Sequence, residues 1–242
     1  MGRFAVTDPL PYALACQRAY QDPPTHTFGP VVRVLETHVA GRPALVVPGT
    51  RPDHVADDLA DLDVGPIDVG VKTLVHAGFW RCASLAFPEA VHYTLMAGPL
   101  DLTGHSLGAA IAVDLATLLV MAGLPPRRVV GFGCPRTAIG TWQADLLRRA
   151  EIDVILYRHA ADPVPLVPAH ADLCPGLDRV LRWCLPAVGD WHHAAPLTQI
   201  GPDGVPDVED HAMAAYIAAL QTIPAARSLP DGLRPHGPFA KG

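Results

Sequence analysis

The chain has 242 residues, half of them hydrophobic and 17% charged, a composition that supports a large core beneath a sparsely charged surface and excludes disorder for most of the length. No apolar run approaches the roughly 18 residues a membrane span requires. A net charge of -6 offers no field that would draw phosphate backbones, so nucleic acid is excluded as a partner.

Taken in chain order, the start carries no apolar run of the secretory kind, because Asp8, Pro9 and Pro11 interrupt it, and a cytoplasmic location is expected. Tyr12 to Tyr20 reads as a short helix stopped by Asp22-Pro23-Pro24. Val31 to Val39 and Ala44 to Val47 are β-branched runs joined by Ala40-Gly41-Arg42-Pro43, an antiparallel pair, and Val71 to Val75 is a further strand. Leu107 to Ala122 is the clearest helix, apolar on most sides and therefore buried, with Gly123 and Pro125 just past its end. Arg128 to Gly133 (strand), Trp142 to Ala150 (helix), Ile152 to Arg158 (strand), Val180 to Leu185 (strand) and Val208 to Leu220 (helix) follow. Such alternation implies an α/β fold, with parallel strands covered by helices. Residues 1–222 are expected to form one domain and 223–242 a Pro/Gly-rich tail. The five cysteines are odd in number and none lies in a C-x-x-C pair, so no zinc site or disulfide scaffold is expected.

Chemistry concentrates at Gly104-His105-Ser106-Leu107-Gly108, a G-x-S-x-G sequence between the apolar segment Leu100 to Thr103 and the buried helix. A nucleophile on a sharp strand-to-helix turn needs strained backbone angles, and glycines on either side let strand and helix approach. Serine is a weak nucleophile near neutrality and requires a base oriented by a carboxylate. Asp162, just past a strand and stiffened by Pro163 and Pro165, fits the acid, and His211, with Asp207 as a potential cap, fits the base. His192 and His193 are rival bases, and Asp153, Asp172, Asp178 and Asp190 are rival acids with solvated or turn-capping roles as their plainer reading. His26, His38, His54, His92, His170 and His236 are read as packed or solvated, His76 as a buried hydrogen-bonding residue, and Asp114 as a structural carboxylate of the buried helix.

With these residues in place, the chain resembles the class 3 lipase family of fungal-type lipases and feruloyl esterases. The shared segments are V-V-P-G-T (46–50), V-H-A-G-F (75–79), T-G-H-S-L-G-A-A (103–110), G-F-G-C-P-R (131–136), D-P-V-P-L-V-P (162–168), W-H-H (191–193) and D-H-A-M-A-A-Y (210–216). The resemblance implies a single α/β-hydrolase domain, with Ser106 as nucleophile, Asp162 as acid and His211 as base. It further implies an oxyanion hole from the backbone amides of Thr50 and Leu107, a small-molecule or lipid ester as substrate, and neither metal nor organic cofactor. It places W-H-H at a structural position and packs His105 beside the nucleophile.

Three departures stand out. Pro48 replaces the arginine that usually precedes G-T and would tie down the oxyanion loop. The cysteine count does not suit the disulfides of secreted relatives. The segment 51–63, at the place of a lipase lid, carries Asp53, Asp57, Asp58, Asp61 and Asp63, which an anionic lipid surface would repel. The expectation is therefore an esterase for soluble or short-chain esters, with an interfacial lipase or phospholipase, or a catalytically silent binding protein, as the alternatives.

Overall fold

A computed structural model describes residues 8–29, 32–49, 65–70, 73–168 and 190–223. Thr50, the acidic segment 51–63, the Val180 to Leu185 strand and the tail from 224 onward lie outside the described residues. The helix expected at Tyr12 to Tyr20 is α1 (Leu10–Gln21). Strand β1 (His26–Phe28) then pairs antiparallel with β2 (Val32–Val39), which pairs antiparallel with β3 (Arg42–Val47). The β2–β3 turn takes only Ala40 and Gly41, both at positive φ (50° and 75°), the conformation that matches the twist of a two-residue hairpin.

From β3 onward the main sheet is parallel: β6 (Asp101–His105), β7 (Arg128–Phe132), β9 (Asp153–His159) and β11 (Leu197–Ile200) add in turn, giving the order β1-β2-β3-β6-β7-β9-β11. A small antiparallel sheet joins β4 (Pro66–Asp68), β5 (Leu74–His76), β8 (Ala138–Ile139) and β10 (Trp191–His192). Two-sided burial follows from strand alternation. On β3, Leu45 and Val47 pack with α2 (Ala77–Ala97) and α3 (Leu107–Met121), whereas Ala44 and Val46 pack with α1 and α5 (Met213–Thr222). A short amphipathic helix, α4 (Trp142–Arg149), lies beside α3. This is the α/β-hydrolase architecture expected. Among the described residues no helix is long and apolar enough to cross a membrane.

Three readings need correction. Helix α2 is an addition, since no element is expected between Val75 and Leu100; it runs on through Pro88 in its interior. The strand expected at Val71 to Val75 is described only as Leu74–His76. The last helix divides: a 3-10 turn, Val208–His211, stops at the extended residue Ala212 before α5 begins, so His211 sits on the turn instead of on a regular helix.

Candidate active site

Strand β6 ends at His105 and α3 begins at Leu107, leaving Ser106 alone to turn the chain, at φ 58° and ψ -129°. For a residue with a Cβ this is a costly conformation, of order 1–3 kcal/mol, held here by surrounding structure. The Ser106 amide donates to Phe132 O at 2.9 Å. The two motif glycines explain the close approach. A Cβ on Gly104 would lie 2.3 Å from the Gly108 backbone, and one on Gly108 would lie 2.0 Å from the Val47 carbonyl oxygen. Leu107, as first residue of α3, has no intrahelical acceptor for its amide, which is what an oxyanion donor requires.

The expected acid and base meet. Asp162 follows β9 by three residues, and its Oδ2 accepts from His211 Nδ1 at 2.9 Å, with both side chains buried. The same oxygen accepts from the Tyr216 hydroxyl at 2.6 Å, and Oδ1 accepts from the Val164 amide at 2.8 Å. Burial pushes the Asp162 carboxyl up, but the His211, Tyr216 and Val164 donors outweigh it and hold the group below the usual carboxylate range. With a carboxylate at Nδ1, neutral His211 carries its proton there and presents Nε2 as a bare acceptor. His211 Nε2 and Ser106 Oγ are both buried and have no hydrogen-bond partner among the described residues. One is an acceptor and the other a donor, the pair a general base and its nucleophile provide.

The loops carrying Asp162 and His211 are joined by short contacts. The Asp210 carboxylate accepts from the Ala161 amide at 2.9 Å, and His159 Nδ1 lies 3.1 Å from Asp210 O. Asp207 caps the 3-10 turn by accepting from Glu209 N at 2.9 Å. Gly133, in the G-F-G-C-P-R segment, sits at φ 60°, and a Cβ there would lie within 2.8 Å of the His211 ring and 3.0 Å of Asp162 Oδ2. Arg136 braces the acid loop through Leu166 O and, at 2.7 Å, Pro168 O.

The remaining candidates fall elsewhere. His192 Nε2 pairs with Asp190 at 2.8 Å and His193 Nε2 donates to Pro165 O at 2.9 Å, so neither reaches Asp162. Asp153 pairs with Arg128, and Asp172 and Asp178 lie outside the described residues. His76 is buried and its Nδ1 accepts from the Phe79 amide at 3.4 Å. Asp114 is wholly buried, and burial raises its carboxyl well above the usual range; its Oδ1 accepts from Gln143 at 2.7 Å. His105 packs against His211 with ring centroids 4.6 Å apart. Tyr216 and Gly133 were not singled out from the sequence, although both stand within shared segments.

One group has metal-ligand spacing among the described residues: His26, Glu36 and Glu89, whose ligand atoms lie within 4.8 Å of one another. It contains none of Ser106, Asp162 and His211, and His26 Nε2 already pairs with Glu36 at 3.0 Å. A surface concavity of about 640 Å³, lined by α4 and residues near β10, has no serine, threonine or cysteine in its walls.

A family model described as Lipase (class 3) matches residues 49–171. Among solved structures, the triacylglyceride lipase of Rhizomucor miehei aligns at 17% identity over 82% of each chain, with a TM-score of 0.61. A triacylglycerol lipase whose catalytic centre is described as a serine protease triad aligns at 19% identity over 70% of this chain and 62% of its own, with a TM-score of 0.54. Lipase II from Rhizopus niveus aligns at 20% identity over 72% of this chain and 62% of its own, with a TM-score of 0.52. At these identities the structural likeness shows the fold. No curated protein matches the sequence.

Proposed function

The chain belongs to the class 3 lipase family and is a serine carboxylic ester hydrolase, and from that premise we propose that Ser106, His211 and Asp162 are its nucleophile, base and acid. The carrying observation is the buried Asp162–His211 pair, which fixes the proton on Nδ1 and leaves Nε2 bare, together with the equally unpartnered Ser106 Oγ. His211 Nε2 takes the Ser106 proton as Oγ attacks the ester carbonyl, and the Leu107 and Thr50 amides receive the negative charge on the tetrahedral oxygen. The same proton then passes from His211 to the departing alcohol, leaving an acyl-serine. Water, relieved of a proton by His211, attacks that acyl group and releases the acid and free Ser106. Asp162 fixes the imidazole tautomer throughout and stabilises the imidazolium.

The substrate is a small-molecule or lipid ester, and within that class we favour soluble or short-chain esters. Support comes from the five aspartates of segment 51–63, which would be repelled at an anionic lipid surface. A cytoplasmic setting suits the unpaired, buried thiols of Cys16, Cys82 and Cys134. The test is a series of p-nitrophenyl esters of increasing chain length. Rates should peak at short chains and show no jump where a long-chain ester passes its solubility limit. A jump at that point would favour an interfacial lipase instead.

A further inference from the structure

Pro48 and Gly49 lead into Thr50, and Gly49 is anchored. A neutral group from the far end of α1 reaches it. The Gly49 amide donates to the Tyr20 hydroxyl oxygen at 3.0 Å, and that hydroxyl lies 2.7 Å from His105 Nδ1. His105 Nε2 lies 2.8 Å from the carbonyl oxygen of His211. Carbonyl oxygens only accept, so Nε2 carries the His105 proton, Nδ1 is bare, and the Tyr20 hydroxyl must donate to it. The direction of every bond is thereby fixed: Gly49 N–H to Tyr20, Tyr20 O–H to His105, His105 N–H to His211.

The chain of bonds is stable to protonation. Burial, then the neighbouring His211 charge, lowers His105 to about 3, and burial raises the Tyr20 phenol. His105 therefore stays neutral while its stacked neighbour cycles through the imidazolium. Packing leaves the turn no slack either: a Cβ on Gly49 would lie 2.6 Å from the Tyr20 hydroxyl, 2.6 Å from His105 O and 2.9 Å from Ser106 Cβ. The residue next to Thr50 is thus pressed directly against the nucleophile.

We infer that Tyr20 is a positioning residue for ester hydrolysis, its hydroxyl tying the Gly49 amide of the oxyanion turn, through His105, to the backbone of the base His211. This rests on the triad reading above. It acts on the relative placement of oxyanion donor and base, a distance that matters only when the tetrahedral oxygen and the imidazolium exist together.

The test is Tyr20→Phe in the full chain, assayed on a soluble p-nitrophenyl ester with active sites counted by fluorophosphonate titration. Phenylalanine keeps the ring packed edge-on to His105, 5.9 Å between centroids, and removes only the shared oxygen. The kcat per titrated site should fall roughly 10- to 100-fold with KM nearly unchanged. The inhibition constant of a trifluoromethyl ketone, whose serine adduct bears the tetrahedral oxyanion, should rise by the same factor. Wild-type kcat per site with an unshifted ketone constant overturns the inference, as does a variant that merely yields fewer titratable sites. Should the Phe variant not fold, His105→Asn cuts the next joint and should show the same paired shift; wild-type values there overturn the inference equally. Ser106→Ala, run alongside, separates the two failures. An active Ser106→Ala protein removes the triad reading itself, whereas an inactive one beside a wild-type-like Tyr20→Phe removes only the role of Tyr20.

Discussion

Ser106→Ala is expected to lower turnover of a p-nitrophenyl ester by about 10⁶, the loss typical when a serine hydrolase loses its nucleophile, because the proposed base then has nothing to activate. Folding should be untouched. The hydroxyl removed has no hydrogen-bond partner among the described residues, so no bond is lost with it. The φ of 58° is imposed by the strand-to-helix turn, and alanine bears that strain as serine does. A thermal melt close to wild type, together with the lost turnover, would separate a chemical role from a structural one.

Asp162→Asn should cost about 10⁴ in kcat, the loss expected when a triad carboxylate becomes an amide and the imidazole tautomer is reversed. The carboxylate here accepts three donors: His211 Nδ1, the Tyr216 hydroxyl and the Val164 amide. An amide has one acceptor oxygen, so its NH₂ must face one of those donors or donate to His211 Nδ1. The latter moves the imidazole proton to Nε2, where it confronts Ser106 and blocks proton abstraction. A pH consequence follows with a defined sign. Because the folded state holds the Asp162 carboxyl below its usual range, its ionised form stabilises the fold above the unfolded value near 4 and loses that contribution as pH falls through the folded value. The Asn variant should lack this part of the acid-side decline, read from melting temperatures between about pH 2 and 5.

The sequence is most legible where local chemistry is forced. Gly104 and Gly108 could be assigned a role because no side chain fits where strand meets helix, and parallel strands deliver their carboxyl ends, which Ser106 follows on β6 and Asp162 on β9, to one side of the sheet. Strand β7, buried along its length, and the apolar centre of β9 were readable as apolar runs, whereas β6 (Asp101–His105) is largely polar by sequence and was marked only by the apolar segment Leu100 to Thr103 ahead of the motif. What escaped had no local signature. Strands β1, β8 and β10 are two or three residues long and exist only through their partners. Helix α2 carries Pro88 in its interior, and the hydrogen bond lost there is outweighed by burial of Phe79, Ala83, Ala86 and Ala90. Tyr20 and Tyr216 act across 85 and 54 residues of sequence, and a tyrosine's spacing along the chain does not say which distant carboxylate or imidazole its hydroxyl will meet.

The most direct test of the triad is reaction of the folded protein with a fluorophosphonate followed by peptide mass mapping. The account predicts a single adduct on Ser106, formed quickly in the wild type and slowed by orders of magnitude in His211→Ala. No adduct in cooperatively folded protein, or an adduct on another residue, would contradict it.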